Sequence, residues 1–285
     1  MKILIIDGPG VHPRTAARGL GRGLHSKGHG VIVHPVQMEK LGWFKGQALE
    51  KRAAEVIGVH QPDVVHVFTS EPWVADAYVG RGVPVVHSTL DRMSKADWVL
   101  APSRKAFARL GGEGPAGENR VSVFPYPVAG GETPDNPGAY VLAHVPPGDR
   151  AARQWISAAC ALHKEIPVRF EGRPEEARVV VSLSSGEDLW PLGVAEAMAA
   201  GRPVIAGWNG AAIEFVLEGV SGYLSAAGDV ASLATHLSML WNKPEEAVTL
   251  GLSGRDEAAE HFGGDEHIRN LVRWYVRAGI SRLAV

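Results

Sequence analysis

Cysteine is almost absent. Cys160 is the single thiol in 285 residues, so the chain cannot form an intramolecular disulfide or a cysteine-based zinc cluster. Charge of one sign is also scarce: 29 basic against 31 acidic residues leaves a formal charge of −2. No global field therefore draws the chain to nucleic acid or to an anionic membrane. No apolar run approaches the ~20 residues of a spanning helix, and the opening run of four, Ile3–Ile6, stops at Asp7. It reads as a buried strand rather than a signal peptide, and a cytoplasmic protein is expected. The 12 histidines are scattered, so no metal site is expected. There is no Gly-x-Ser-x-Gly elbow and no phosphate loop ending in Gly-Lys-Ser/Thr. GPGVHP (8–13) is not a dinucleotide fingerprint, because Pro13 stands at the third glycine position.

What the chain does contain is ordinary for a folded protein, with 45% hydrophobic and 21% charged residues. Short apolar runs alternate with helical stretches. Strands are expected at 2–6, 28–36, 62–70, 83–89, 96–103 and 120–128, with helices reaching Lys27 and over 48–58. The first helix carries Gly19, Gly21 and Gly23, each costing about 1 kcal/mol against Ala. That pattern points to close packing or to mobility, without choosing between them. A segment rich in Pro and Gly, 126–138, reads as a linker. A second alternating series follows, with strands at 139–145, 166–172, 177–184, 202–206 and 221–226. Helices are expected at 150–163, 229–242, 244–262 and 265–283. The fold class is α/β, with two doubly wound lobes in tandem. The expected division is 1–128, a linker 129–138, a second lobe 139–264, and a closing helix 265–285 that returns to the first lobe.

The segment GEDLWPLGVAEAMAAGRPVIA (186–206) carries the chemistry. It follows the apolar strand VVVSLS, and ligands of open α/β sheets bind beyond the carboxyl ends of strands. Pro191 is suited to a helix start. The amides of Leu192, Gly193 and Val194 would then be free to meet a phosphate, aided by the helix dipole. Asp188 and Glu196 bracket this turn with seven residues between them. A carboxylate does not bind phosphate, but it accepts hydrogen bonds from paired hydroxyls. Acid, amides and acid in a row match sugar, diphosphate and ribose in a row. Simple capping is the competing role for Asp188, and a solvated helix face the competing role for Glu196.

The stretch 184–228, with its two acids, Ala-Met-Ala, Gly-Arg-Pro-Val-Ile, Glu214, Gly219 and Gly222, resembles the donor-binding segment of glycosyltransferase family 4. The opening 33 residues, QPDVVHVFTS, VPVVHSTLD and ADWVLAPSRKAFARL are similar to segments of that family's acceptor lobe, so the resemblance spans nearly the whole chain as a shortened member. It implies the GT-B fold, two Rossmann-like lobes facing a cleft. It also implies a retaining, metal-independent transfer from a UDP- or GDP-linked sugar, with no further cofactor. The donor would bind the rear lobe and the acceptor the front one. The acceptor is open: a small metabolite, a lipid carrier, a protein or a nucleic-acid base. By resemblance, Asp188, His87 and Arg150 are the catalytic candidates. Gly10, Arg14, Arg153, Glu187, Leu192, Gly193, Val194 and Glu196 are the donor-binding ones.

The chain also departs from the family. The first acid is Asp188, with Glu187 beside it, where the family has Glu. Arg14-Thr15-Ala16 stands where a Gly-Gly pair is usual. The family's Arg/Lys pair after the first strand of the rear lobe has only Arg150 and Arg153, displaced by a few residues, to answer it. The family histidine aligns nearest Leu90, with His87 three residues earlier. His66, inside VVHVF, reads as structural. A nucleotide-sugar-binding protein without transferase activity, and a GT-B-type epimerase or phosphorylase, stand as alternatives.

Overall fold

The computed structural model describes residues 1–9, 13–41, 45–112, 120–128, 138–163 and 166–283. The expected linker therefore falls almost wholly outside the described residues. The chain divides into two compact units, Met1–Pro127 with Gly264–Val285, and Val128–Gly263.

In the first unit, strand β1 (Lys2–Asp7) leads through helix α1 (Pro13–Ser26) to β2 (Gly30–Pro35). Helix α2 (Lys45–His60) then leads to β3 (Val64–Phe68) and α3 (Pro72–Asp76) to β4 (Val85–Ser88). Strands β5 (Trp98–Ala101) and β6 (Val121–Val123) follow, with α4 (Arg104–Arg109) between them. All six strands are parallel in the order β2-β1-β3-β4-β5-β6. β1, β3, β4 and β5 are buried almost throughout, as expected of strands covered on both faces. β2 is an edge strand and only half-buried. α3 and α4 are short helices that apolar periodicity does not reveal. The first has Pro72 in its first turn, and the second is capped by Ser103, whose Oγ accepts from the Ala106 amide.

The second unit repeats the plan. β7 (Val141–His144), α5 (Arg150–Ala161), β8 (Val168–Arg169), β9 (Val179–Ser182), α6 (Leu192–Ala199), β10 (Val204–Gly207) and β11 (Tyr223–Ser225) form a parallel sheet ordered β11-β10-β9-β7-β8. α7 (Val230–Asn242) packs with α5, and α8 (Pro244–Phe262) packs with α6. The core joins Val141, Ile156, Val179, Val181, Ile205, Leu233 and Leu237. Each such side chain, fully buried, is worth ~1.5–3 kcal/mol over exposure. The ion pairs of this unit lie on the surface, where a pair contributes ~0–1 kcal/mol, so packing decides stability. β6 and β8 are much shorter than the runs 120–128 and 166–172. Pro125 and Pro127 end the first, and β8 is an edge strand with one neighbour.

The last helix, α9 (Gly264–Leu283), belongs to the first unit. Its Tyr275 hydroxyl and the Ser88 hydroxyl each lie 2.7 Å from a ring nitrogen of His66, all three being buried. Burial pushes the His66 pKa down to about 3. The ring is therefore neutral and donates through one nitrogen while accepting at the other. Trp274 stacks on Trp98 at 5.5 Å and His267 on Phe124 at 4.2 Å. The glycines of α1 serve close packing: a Cβ on Gly23 would lie 2.8 Å from Ile268 of α9. Among the described residues no helix is long and apolar enough to cross a membrane.

Tyr275→Phe leaves a buried His66 nitrogen without its partner, a loss of ~1–3 kcal/mol. At ~2–4 °C per kcal/mol for a unit of this size, thermal unfolding should begin several degrees earlier. An unchanged melting curve would show that the three side chains are not coupled. Because the folded pKa of His66 lies below the ordinary 6.5, its contribution to stability is present above pH 6.5 and declines as the pH falls toward 3.

Candidate functional site

The second sheet reverses its direction of growth between β7 and β9. The chain goes from β7 outward to β8, then returns to place β9 on the other side of β7. Loops leaving two adjacent strands in opposite directions open a crevice at their carboxyl ends, which is where ligands of this sheet type bind. The two loops here are 145–149 and 183–191.

Hydrogen bonds lace that rim together. Asp149 caps α5, its Oδ1 accepting from the Ala152 amide at 3.0 Å and its Oδ2 from the Ser185 amide at 2.7 Å. These bonds outweigh burial and hold its carboxyl below the usual range. Asn209, after β10, donates to the carbonyls of Ser184 (3.0 Å) and Gly186 (2.6 Å). The Ala211 amide donates to the Asp188 carbonyl at 2.7 Å. Trp190 is fully buried, edge-on to Phe215 and Phe262, and pins the end of the loop to the core. Three loops are thereby held as one rigid rim.

The helix begins at Leu192, with Pro191 at the cap position rather than in the first turn. This changes the expected amide set. The Leu192 amide bonds to the Trp190 carbonyl (2.8 Å) and the Val194 amide to the Pro191 carbonyl (3.0 Å). Of the three, only the Gly193 amide has no acceptor among the described residues. A side chain on Gly193 would collide with the His144 ring, its Cβ falling 2.6 Å from Nδ1. His144 ends β7, and burial lowers its pKa, so its ring is neutral at neutral pH. It is a residue that sequence reasoning missed. The signal was its place at a strand end in AHVPPGDR, where only the arginines drew attention.

Asp188 lies on the loop 183–191 of this rim, and Glu196 on the helix α6 that follows it. Glu196 lies one turn into α6, and burial raises its pKa, with the Glu175 carboxylate adding to the shift. It has no hydrogen-bond or ion-pair partner among the described residues. Glu175 comes from the 3-10 turn Pro174–Glu176 and was also missed, since nothing in the sequence links it to Glu196. Asp188 is half-buried. Burial raises its pKa against the opposing Trp190 amide, which Oδ1 accepts at 3.1 Å. This local turn, and not capping of α6, is the bond Asp188 makes with the backbone. A half-buried carboxylate without a cation suits a neutral donor such as a hydroxyl.

The other sequence candidates are placed differently. Glu187 is exposed on the same loop. Arg150 is exposed in the first turn of α5. Arg153 holds its guanidinium 3.8 Å above the Phe170 ring. His87 lies in the first unit and is fully enclosed in β4, not presented to solvent. Its Nε2–H donates to the Thr69 carbonyl at 3.0 Å, and burial lowers its pKa to about 4. Arg14 falls in the first turn of α1, with its side chain outside the described residues, as is Gly10. Among the described residues no group of three His, Cys, Asp or Glu side chains could hold a metal ion.

Comparison with known proteins follows the same division. Residues 148–243 match the sequence model of the family described as Glycosyl transferases group 1. Over 101 residues the chain is 36% identical to a GDP-mannose-dependent alpha-(1-6)-phosphatidylinositol monomannoside mannosyltransferase of Mycolicibacterium smegmatis. That match covers 35% of this chain and about a quarter (26%) of the relative. Among solved structures, the Anabaena protein HepE in complex with UDP and glucose superposes with a TM-score of 0.70 at 16% identity, over 96% of this chain and 98% of that one. A glycosyltransferase from Rickettsia africae gives 0.72 at 13% identity over 97% and 98%. Sucrose-phosphate synthase from Thermosynechococcus elongatus gives 0.70 at 14% over 99% and 100%. The chain thus has the α/β fold of these proteins, with two Rossmann-like parallel sheets, and the segment that matches the glycosyl transferases group 1 model contains the loop 183–191.

Proposed function

We propose that this chain is a retaining glycosyltransferase that takes its sugar from a UDP- or GDP-linked donor held by the second unit. The observation that carries the reading is the pair Asp188 and Glu196. Each is half-buried, each has a carboxyl pushed up by burial, and they bracket the α6 N-terminus inside the segment that matches the glycosyl transferase model. An isolated buried carboxylate costs stability, and hydroxyl donors from a ligand offset that cost. In this reading Glu196 takes the ribose hydroxyls and Asp188 those of the transferred sugar, with Glu187 beside it. The pyrophosphate meets the Gly193 amide, the positive end of α6 and the edge of the His144 ring. Leu192 and Val194 shape this cradle as backbone rather than as donors.

The chemistry follows from that placement. The carbon–oxygen bond between the anomeric carbon and the pyrophosphate breaks as the acceptor hydroxyl attacks from the same face. Its proton passes to the departing phosphate oxygen. The rim stabilises the leaving charge and positions the reactants, and no protein nucleophile is required. Arg150, at the start of α5, is free to swing toward the leaving group. His87, enclosed and neutral, acts on the front unit only through the Thr69 backbone it holds. Arg14 and Gly10 remain acceptor-side or phosphate-side candidates, and the acceptor itself is unassigned. A second reading, nucleotide-sugar binding without transfer, is favoured by one observation: Arg153 is engaged with Phe170. Release of nucleoside diphosphate from the donor in the presence of acceptors separates the two readings. Persistence of that release in excess EDTA, with NMR of the product anomer, tests metal independence and retention.

Glu196→Gln should weaken UDP or GDP binding ~10–100-fold by calorimetry, the worth of hydrogen bonds to a charged group. Equal affinity would remove Glu196 from the site. Because ionising Glu196 costs the folded state, the same variant should melt at a higher temperature than the parent at neutral pH when no ligand is present. Asp188→Asn should leave nucleoside diphosphate affinity within a few-fold while turnover drops on the order of 100-fold, the scale of one lost electrostatic contact. Donor affinity should fall as the pH drops through the raised carboxyl pKa values, beginning above the ordinary carboxylate range, and Glu196→Gln should flatten this decline.

A further inference from the structure

A cavity of about 430 Å³ lies in the first unit, between the segment that follows β2, the start of α2 and the end of α3. It is within the size range of small-ligand sites. Its walls combine apolar side chains, Val36 and Leu49 among them, with four polar ones, His34, Gln37, Arg52 and Tyr78. Among the described residues no carboxylate lines it.

Two features distinguish it from a surface dent. Tyr78 is only 1% exposed, yet its hydroxyl has no hydrogen-bond partner among the described residues. Tyr78 is one of the residues that line the cavity. A buried hydroxyl in that position costs free energy unless something in the cavity bonds to it. Arg52, one turn along α2 from Leu49, likewise has no carboxylate or carbonyl partner among the described residues. It is near enough to Tyr78 to oppose the effect of burial on the phenol, as is Arg81. His34 spends Nδ1 on the neighbouring Pro35 carbonyl and keeps Nε2 for another partner.

We propose that this cavity binds a small organic anion, a phosphate monoester or a carboxylate with an apolar body. The anionic head would meet the Arg52 guanidinium and the Tyr78 hydroxyl, and the body would lie against Val36 and Leu49. A guanidinium fork and a phenol hydroxyl are all donors toward an anion, and the pairing is charge-assisted. All of the residues belong to the first unit, so the inference does not depend on how the second unit uses its carboxylates.

The test is calorimetric titration of the whole chain with phenyl phosphate, with benzoate and with neutral benzyl alcohol. At least one of the two anions should bind in a one-to-one complex, and benzyl alcohol should bind at least tenfold more weakly. The stronger anion identifies the head group. Arg52→Gln, at an exposed position that should not disturb folding, should weaken the anion tenfold or more, and Tyr78→Phe about threefold. Neither variant should alter UDP or GDP affinity. Absence of binding by both anions, equal binding of benzyl alcohol, or equal affinity in Arg52→Gln would overturn the proposal. A parallel loss of nucleotide affinity in Arg52→Gln would overturn it too, whereas failure of nucleotide binding in the parent chain would count only against the donor reading.

Discussion

The parallel pairing of β7 with β9 is the constraint on which the rim depends. Register sets Val141 opposite Val179 and His144 opposite Ser182, and the Leu183 amide extends the ladder onto the His144 carbonyl. With that register the His144 ring lies against Gly193 in the first turn of α6. The residue beneath it must then be glycine. Shifting the pairing by one residue would turn His144 to the opposite face of the sheet and undo the fit. Asp149, Asn209 and the Ala211 amide secure the loops only because the strands beneath them already end side by side.

A second theme is the electrostatic economy of the rim. Asp149 has its carboxylate bonded by amides and is held in its ionised form. Asp188 and Glu196, in the same unit, are held in the opposite sense by burial. One acid stabilises the architecture; the other two are kept at a cost. Like groups are thus pushed in opposite directions by their surroundings. The same contrast appears among the histidines. His66 has both ring nitrogens bonded in a packed interior, while His144 stands at a strand end against a helix start.

Much of this was legible in the sequence. The alternation of short apolar runs with helical stretches yields two parallel α/β sheets, because strands covered on both faces have a distinctive unbroken hydrophobicity. GEDLWPLGVAEAM pointed to a loop and helix start beyond a strand end, and the rim lies there. Strand lengths were less legible. Pro125 and Pro127 remove amides from the ladder after β6, and the apolar run alone does not register that. Residues joined only in three dimensions were not legible at all. Glu175 reaches Glu196 through the turn before β9, Arg153 finds Phe170 across the sheet edge, and His87 is enclosed by neighbours that its strand-end position does not announce. Local spacing carries no information about such contacts.

The closing helix makes the first unit discontinuous in the chain, while the second is one uninterrupted stretch. Tyr275 meets His66 across 209 residues. Closing so long a loop carries an entropic penalty that grows only slowly with length, but the contact cannot form until the C-terminal residues exist. During synthesis the second unit can therefore complete its core first, while the first unit waits for α9, its β4–β5 surface uncovered until that helix is made. Loss of α9 would thus injure the first unit and spare the second.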